Sequence, residues 1–476
     1  MYFVERVDEL NKLTEIHARP NPAFVVIYGR RRIGKTETVR HFCERNAINY
    51  LEFAGKLEQS KAQQVQGFAR KLARYAPDLN MGEVNSWQDI FYLLEDYIET
   101  QPTDKKTVLF LDELPWMDTP KSGFLGDLAS FWNEYCSRKS NVMLIVCGSA
   151  ASYMLKKILQ DKGPLHGRVT DKIGMEQFNL KSTKVLLEAN GWTLSNKSIT
   201  DIYMALGGVA KYLMSLNSQL TPNQAIQELC FSKNALLKTE YQTLFHSLFR
   251  DAKAHYAIMG VLANRWEGLN QEDIATNTGL SRAYITRALD ELTASGFITM
   301  KPLFGNKKRE ALYVGSDMFS YFHHQWIAGA STRDWTTTAF TQSYRSWSGF
   351  AFEKVCHLHV DQIKQALGIS GIPTSTHYWS HTPQDKSDQG TQIDLLIKHE
   401  NGSRDIELVE CKYYEGEFVI SKSYKQELQR KRAVFNESTG NKFNVRIVLC
   451  AAEGVARNEH LDELNPKVIT LEDLIK

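Results

Sequence analysis

In "YGRRRIGKT" the residues Gly29, Gly34, Lys35 and Thr36 have the types and spacing that hold a phosphate. The glycines let backbone N–H groups turn inward around an anion, Lys35 reaches the outer phosphate oxygens, and the Thr36 hydroxyl ligates magnesium. The expected nucleotide contacts are therefore Gly29, Arg30, Arg31, Arg32, Ile33, Gly34, Lys35, Thr36 and Glu37. Farther on, "TVLFLDELPW" presents two adjacent carboxylates, with Asp112 suited to the magnesium shell and Glu113 to orienting or deprotonating an attacking water. Ser149 in "VMLIVCGSAAS" is a hydroxyl just past a strand end, where it would either sense a γ-phosphate or cap a helix. A third set stands in "QIDLLIKHENGSRDIELVECKYYEGE", where Asp394, Glu410 and Lys412 occupy positions at which a strand pair would want apolar side chains.

Each set needs an element to position it. The run from Ala23 to Tyr28 is continuously apolar, as a strand buried on both faces would be, and it breaks at Gly29 with a helical pattern following. The run from Thr107 ends in Asp112 and Glu113, which places both carboxylates at the carboxyl end of a strand, where α/β sheets bind ligands. In the third set, alternation puts Ile406, Leu408, Glu410 and Lys412 on one face of their strand. A loop over Asn401 to Ser403 then sets Asp394 opposite Glu410, with Cβ atoms about 5 Å apart. Two carboxylates that close repel unless a cation or shared proton neutralises them, and hard oxygen ligands suit magnesium or manganese. Lys412, on the same face, would stabilise an anionic phosphate or activate a water.

At 476 residues the chain is too long for one ordinary core and predicts several packed units. With 43% hydrophobic and 24% charged residues it falls among folded globular chains rather than disordered ones. A net charge of +2 excludes a histone-like polycation but leaves room for local basic patches. The seven cysteines are scattered without a CxxC pair, so neither a disulfide framework nor a zinc knuckle is expected, and a reducing cytoplasmic setting fits. The acidic N-terminal stretch lacks a signal-peptide pattern and no run of ~18 apolar residues occurs, so no membrane association is expected.

From Gln271 the chain predicts a short helix, a turn at Thr278-Gly279 and a second helix with Ile285, Leu289 and Leu292 on one face. Gly296 ends that helix. Two strands follow, "FITMKP" and "EALYV", joined by a turn at Gly305-Asn306. This is the order of a winged helix-turn-helix. It would put Arg282, Tyr284, Thr286 and Arg287 in a DNA groove, and Lys307, Lys308 and Arg309 of the wing on phosphates, or else serve as a lid or protein docking surface with a solvated wing. After "STRDWTTTAF" an apolar-periodic helix resumes, with Phe350, Phe352 and Val355 expected inward and Glu353 among them. His357 and His359, two apart on that helix, cannot face one site and read as surface or core histidines. Lys422, Lys425, Arg430, Lys431 and Arg432 on a later helix would offer a basic strip for backbone phosphates.

The first part of the chain resembles the archaeal-type ATPase family within the STAND and AAA+ group of P-loop NTPases. The likeness rests on "FVERVDELNKL", "GRRRIGKT", "VLFLDELPW", "CGSAAS" and "PLHGRVTDKIGMEQF". It implies a Walker B role for Asp112 and Glu113, a sensor position for Ser149, and for Arg168 a role in reading the γ-phosphate, which in a homo-oligomer would belong to a neighbour. "ALGGVAKYL" resembles the family's lid motif, with Ala210 where that motif has proline. The Asp394, Glu410-x-Lys412 arrangement resembles the PD-(D/E)xK nuclease core, which implies that Glu353 is its first-helix glutamate and that a divalent metal sits on Asp394 and Glu410.

The expected architecture is multidomain α/β, with a P-loop AAA+-like parallel sheet over residues 1–180 and a helical lid over 181–245. A winged helix-turn-helix over 246–330 and a restriction-endonuclease-like α/β domain over 331–476 complete it. The expected function is an ATP-binding and hydrolysing protein, using Mg2+, that controls a DNA-cleaving C-terminal domain using Mg2+ or Mn2+. The rival is a STAND-type nucleotide switch or DNA-binding regulator whose nuclease-like domain does not cleave.

Overall fold

The apolar runs become the strands of a parallel sheet. In the computed structural model, which describes residues 3–160, 163–249, 251–305, 311–329, 333–381, 383 and 390–476, five strands of the first unit pair in the order β2-β3-β4-β1-β5. They are β1 (Ala23–Tyr28), β2 (Tyr50–Ala54), β3 (Thr107–Asp112), β4 (Val142–Gly148) and β5 (Asp171–Gly174), all parallel. Both faces are covered, which is why the central strands β1, β3 and β4 are continuous apolar runs rather than apolar at every second position, whereas the edge strands β2 and β5 carry Glu52, Asp171 and Lys172. Phe24, Val26, Leu109, Leu111, Leu144 and Val146 enter one core. Val25, Ile27, Val108, Phe110, Met143 and Ile145 enter the other, with Leu13 of α1 (Val7–Ala18) and Val39 of α2 (Lys35–Arg45). Because β4 lies between β1 and β3, the segments leaving these three strands meet at one edge of the sheet.

The chain divides into two compact units, the first running to Gln177 with the short stretches 244–249 and 294–296, the second holding the remainder. The second unit begins with helices, among them α3 (Asn196–Leu206) and α4 (Ala210–Met214). Between them Gly208 has no room for a side chain, since a Cβ would stand 1.8 Å from the Phe178 carbonyl oxygen. α4 starts at Ala210 without a proline, so a helix forms there although the expected proline is missing. Next come α5 (Gln271–Thr278), a left-handed Gly279 and α6 (Arg282–Ala294), followed by antiparallel β6 (Ile298–Lys301) and β7 (Leu312–Gly315). The expected wing tip, Lys307, Lys308 and Arg309, lies outside the described residues.

A second five-stranded sheet carries the last part of the chain, in the order β12-β11-β10-β9-β8. β8 (Thr374–His381), β9 (Thr391–His399) and β10 (Asp405–Lys412) are antiparallel neighbours. β11 (Asn444–Ala451) and β12 (Lys467–Ile469) continue parallel to β10. The connection between β9 and β10 runs over 400–404, longer than expected, yet the register is the expected one, with Val409 paired to Leu395 and Ile406 to Lys398. α7 (Gln342–Leu358) and α8 (Lys422–Ser438) accompany this sheet.

On α7, Phe352 and Val355 are buried but Phe350 is 46% exposed, contrary to expectation. Residues two apart on a helix point in nearly opposite directions, so Phe350 and Phe352 cannot share a face. Among the described residues no helix is long and apolar enough to cross a membrane.

Candidate functional site

At the edge where β1, β3 and β4 end, the glycine-rich loop closes on itself. Lys35 Nζ donates to the carbonyls of Gly29 (2.9 Å) and Arg30 (2.7 Å) and lies 3.5 Å from Ser149 Oγ. Burial pulls the Lys35 ammonium below its usual range, while Glu113 and Asp112 nearby favour its charged form. Arg32 and Gly34 both adopt left-handed φ, 71° and 100°. Gly34 is needed for that conformation and not for space, since nothing lies within 4 Å of a Cβ built there. Gly29 is needed for both, as its Cβ would stand 2.2 Å from the Met175 carbonyl oxygen. Arg6 Nη2, at the head of α1, donates to the Ile33 carbonyl at 2.8 Å and pins the loop from behind. Arg30 is buried, the Arg31 guanidinium lies 5.2 Å from the Trp116 ring centroid, and Glu37 is exposed and bonded to Arg40.

Thr36 Oγ1 donates to Asp112 Oδ2 at 2.7 Å, so the two oxygens expected to share a magnesium are already in contact. Asp112 Oδ1 accepts from the Glu113 N–H at 2.9 Å. Glu113, at a left-handed φ of 49°, accepts from Ser149 twice, from Oγ at 2.5 Å and from N at 3.2 Å. The hydroxyl and carboxylate oxygens, the lysine and the open backbone loop suit a magnesium–nucleotide, whose cation Thr36 and Asp112 would hold and whose phosphates Lys35 would meet. Arg168 is not drawn into this set; its guanidinium donates to Asn133 Oδ1 and the His166 carbonyl, both at 2.7 Å.

In the second unit, one step beyond the Val409 and Leu395 pair brings Glu410 abreast of Asp394. Glu410 is fully buried and Asp394 is 9% exposed. Asp394 Oδ2 accepts from the Cys411 N–H at 2.8 Å, and its carbonyl meets His357 Nε2 at 2.8 Å. Burial and the Asp394 charge push Glu410 up to about 7. The same two causes push Glu353 up to about 8, with Lys412 among the cations working against them. The Lys412 ammonium lies 4.9 Å from the Tyr424 ring centroid. Glu353 from α7, Asp394 from β9 and Glu410 and Lys412 from β10 therefore share one electrostatic neighbourhood. Among the described residues no group of three or more His, Cys, Asp or Glu side chains is disposed to hold a metal ion. A magnesium site does not require one, because that ion is commonly held by one or two carboxylates together with substrate phosphate.

Lys431 corrects an expectation. It does not join a solvated basic strip, since its Nζ lies 2.9 Å from both Glu410 oxygens and the residue is 8% exposed. On α8 the residues Tyr424, Leu428, Lys431 and Phe435 recur at spacings of four, three and four, so they form one face toward the sheet. That periodicity was the available signal for Lys431. The histidines serve the backbone: His359 Nδ1 meets the Val355 carbonyl at 2.7 Å and its Nε2 accepts from the Leu180 N–H at 2.9 Å. Asp201 had no signal in the chain. It accepts from Tyr344 Oη at 3.1 Å and Tyr413 Oη at 2.8 Å, with Lys197 Nζ at 3.3 Å. On α6, Arg282, Tyr284, Thr286 and Arg287 are exposed together, with Arg287 bonded to Glu291 at 2.9 Å and the Tyr284 hydroxyl to Asp251.

Comparison with known proteins bears on the part of the chain that carries the first of these sites. Residues 3–216 match a family described as an ATPase domain predominantly from Archaea. Over 436 residues the chain is 24% identical to an uncharacterized protein of Methanocaldococcus jannaschii, covering 90% of this chain and 91% of that one. Among solved structures, the Walker-type ATPase of Pyrococcus abyssi is similar in fold, with a TM-score of 0.51 at 15% identity, covering 68% of this chain and 96% of that one. Residues 3–216, with their phosphate loop, paired carboxylates and parallel sheet, are thus an archaeal-type ATPase domain of the P-loop class.

Proposed function

We propose that the protein is an ATP-hydrolysing regulator of a metal-dependent phosphodiesterase carried in its own C-terminal sheet, acting on DNA. The observation that carries this reading is the pairing of Asp394 with Glu410 on adjacent strands, beside Lys412 and Glu353. A buried carboxylate pair, Asp394 with Glu410, is costly to fold and meets no structural need that apolar residues would not meet better.

In the nucleotide site, Lys35 and the loop N–H groups hold the phosphates while Glu113 orients the attacking water. Glu113 is engaged by Ser149 in this structure, so the Ser149 contact must loosen for Glu113 to act. In the C-terminal site, Asp394 and Glu410 would hold a divalent cation, which would supply Lewis-acid stabilisation of the scissile phosphate. Lys412 faces the anionic phosphate and stabilises the charge that develops there. Hydrolysis forms a bond from water oxygen to phosphorus, breaks the bond from phosphorus to the leaving deoxyribose oxygen, and delivers a proton to that oxygen. The exposed Arg282, Tyr284 and Arg287 of α6 supply duplex contacts.

The bidentate contact of Lys431 with Glu410 favours a second reading, in which the carboxylates form a structural ion-paired cluster and the protein is a nucleotide switch that binds DNA without cutting it. Incubation of the purified protein with linear duplex and single-stranded DNA, with Mg2+ or Mn2+ and with or without ATP, separates the two. Cleavage by wild type that Asp394→Ala abolishes is expected. DNA binding without cleavage under every condition would overturn the phosphodiesterase and leave the switch. Cleavage unchanged in Lys35→Ala would remove the control by ATP.

A further inference from the structure

A cavity of about 870 Å³ opens beside Glu353 and Lys412, entirely within the second unit. One wall is α7, which contributes Arg345 as well as Glu353; another is α3, which contributes Lys197 and Asp201; the end of β10 supplies Lys412, Tyr413 and Tyr414. Three aromatic rings in its lining are exposed: Phe340 at 69%, Tyr414 at 55% and Phe350 at 46%. Among the described residues twelve large hydrophobic side chains are exposed, and three of the twelve, all aromatic, border this one cavity. Scattered exposed apolar residues need no explanation, whereas a cluster around a concave site marks a binding surface.

We infer that this cavity receives an unpaired nucleotide of a single-stranded nucleic acid, stacking its base on Phe340, Phe350 or Tyr414 and leading its phosphate past Arg345 to Lys412 and Glu353. The inference rests on the reading of the carboxylate site as a phosphodiesterase, and it names that site's substrate class. The volume is of the size that takes a small ligand, so it admits one or two nucleotides and no double helix. Bases in a duplex are stacked on one another and offer no face to a side chain, while every unpaired base has one. The cationic side is supplied by Arg345, exposed on α7, and by Lys412. Lys197 is already committed to Asp201 at 3.3 Å and to the Tyr413 ring at 4.8 Å. Of the acids in the lining, Asp201 is met by that lysine and two tyrosine hydroxyls, Glu353 belongs to the proposed catalytic set, and Glu415 lies exposed beside Tyr414. Aromatic faces with few uncommitted cations describe a strand-binding site that does not read sequence.

The test is a binding titration of the full chain in EDTA, so that no cleavage is required, against three labelled probes: oligothymidylate, oligouridylate and a blunt DNA duplex, each of ~20 nucleotides or base pairs and so longer than typical single-strand footprints. The variants are Phe340→Ala with Tyr414→Ala, and the conservative Phe340→Trp with Tyr414→Phe. Loss of two stacking rings should weaken the single-strand probes roughly ten- to a hundredfold and leave the duplex affinity as it was. The conservative pair should retain binding, and unchanged ATP hydrolysis in all variants shows that the chain is folded. The tighter of the two single-strand probes identifies the strand as DNA or RNA. Single-strand binding that the alanine pair leaves intact, or an equal loss on the duplex, overturns the inference. Loss confined to the single strands, in a protein that cuts nothing when Mg2+ is restored, overturns the phosphodiesterase and leaves the strand site standing.

Discussion

Lys431 Nζ sits 2.9 Å from both carboxylate oxygens of Glu410, on a helix face that otherwise packs Leu428 and Phe435 onto the sheet. Burial works to lower the lysine, but the Glu410 charge prevails and raises it. Removing one partner of a buried pair strands the other's charge, at a cost of about 3–5 kcal/mol. Lys431→Met should therefore lower stability by an amount in that range, and Glu410→Gln with Lys431→Met should recover much of it. Urea unfolding of the four proteins measures the coupling. Additive losses would show that the pair is not energetically linked.

Glu353 gives a pH dependence whose sign follows from its environment. Its carboxyl is raised from 4.5 to about 8 by burial and by Asp394. Between those values the unfolded chain has released the proton while the folded chain keeps it, so the folded state binds more protons and stability falls as pH rises. The contribution is whole below pH 4.5 and lost by pH 8. Lys354 beside it is lowered to about 7 by burial and acts in the opposite sense, being least favourable at low pH. Comparing Glu353→Gln with wild type cancels the lysine. The variant should gain stability relative to wild type at pH 8 and gain little at pH 5, read from urea midpoints. An equal difference at both pH values would place Glu353 in contact with solvent instead.

The register of β9 against β10 was legible because alternation leaves few choices. Only one pairing puts Leu408 with Leu396 and keeps the apolar set on one face, and it carries Asp394 to Glu410 whatever the length of the connection over 400–404. The strand before the phosphate loop was legible because six apolar residues end at a glycine. Lys431 was misread because a lysine's charge suggests solvent, while its position in the face of Tyr424, Leu428 and Phe435 says otherwise. Phe350 was misread by hydrophobicity taken without helical phase. The junction at Asp201 was not legible at all, since Asp201, Tyr344 and Tyr413 are separated by long stretches of chain and no local pattern announces their meeting.

Glu113 and Ser149 make the nucleotide site testable in two directions. Glu113→Gln removes the base while keeping the shape of the side chain, so nucleotide affinity should hold and kcat should fall by roughly 10²–10⁴. Ser149→Ala removes the hydroxyl that holds Glu113 at 2.5 Å. If that contact restrains Glu113, basal ATP hydrolysis should rise; if Ser149 instead contacts the γ-phosphate in the reacting state, kcat should fall with nucleotide affinity. Steady-state hydrolysis together with nucleotide titration distinguishes the two, and Lys35→Ala, which loses binding, is the reference for an empty site.

Asp201 acts on Lys412 through its neighbour. Tyr413 follows Lys412 in the chain, and its hydroxyl is held 2.8 Å from Asp201 Oδ1; Tyr344, on the helix that carries Glu353, is held 3.1 Å from the same oxygen. One carboxylate on α3 thus fixes the segments that bring Lys412 and Glu353 to the carboxylate pair. Burial raises Asp201, and Lys197 and the two hydroxyls oppose that rise by bonding its charged form. Asp201→Asn keeps the size and one acceptor oxygen but loses the charge that orders Lys197. It should lower the rate of DNA cleavage by roughly tenfold to a hundredfold through misplacement of Lys412, in line with the sensitivity of positioned groups to small displacements. Affinity for DNA in EDTA should fall less than the rate, because Asp201, Tyr344 and Tyr413 are not proposed phosphate contacts and Arg345 and the exposed rings stay in place when Lys412 shifts. Tyr413→Phe should reproduce the effect, since it removes the other end of the same bond, and the double variant should be no worse than either single one. Additive losses would mean that Asp201 and Tyr413 act independently, and a loss of binding without a loss of rate would make Asp201 part of the strand site.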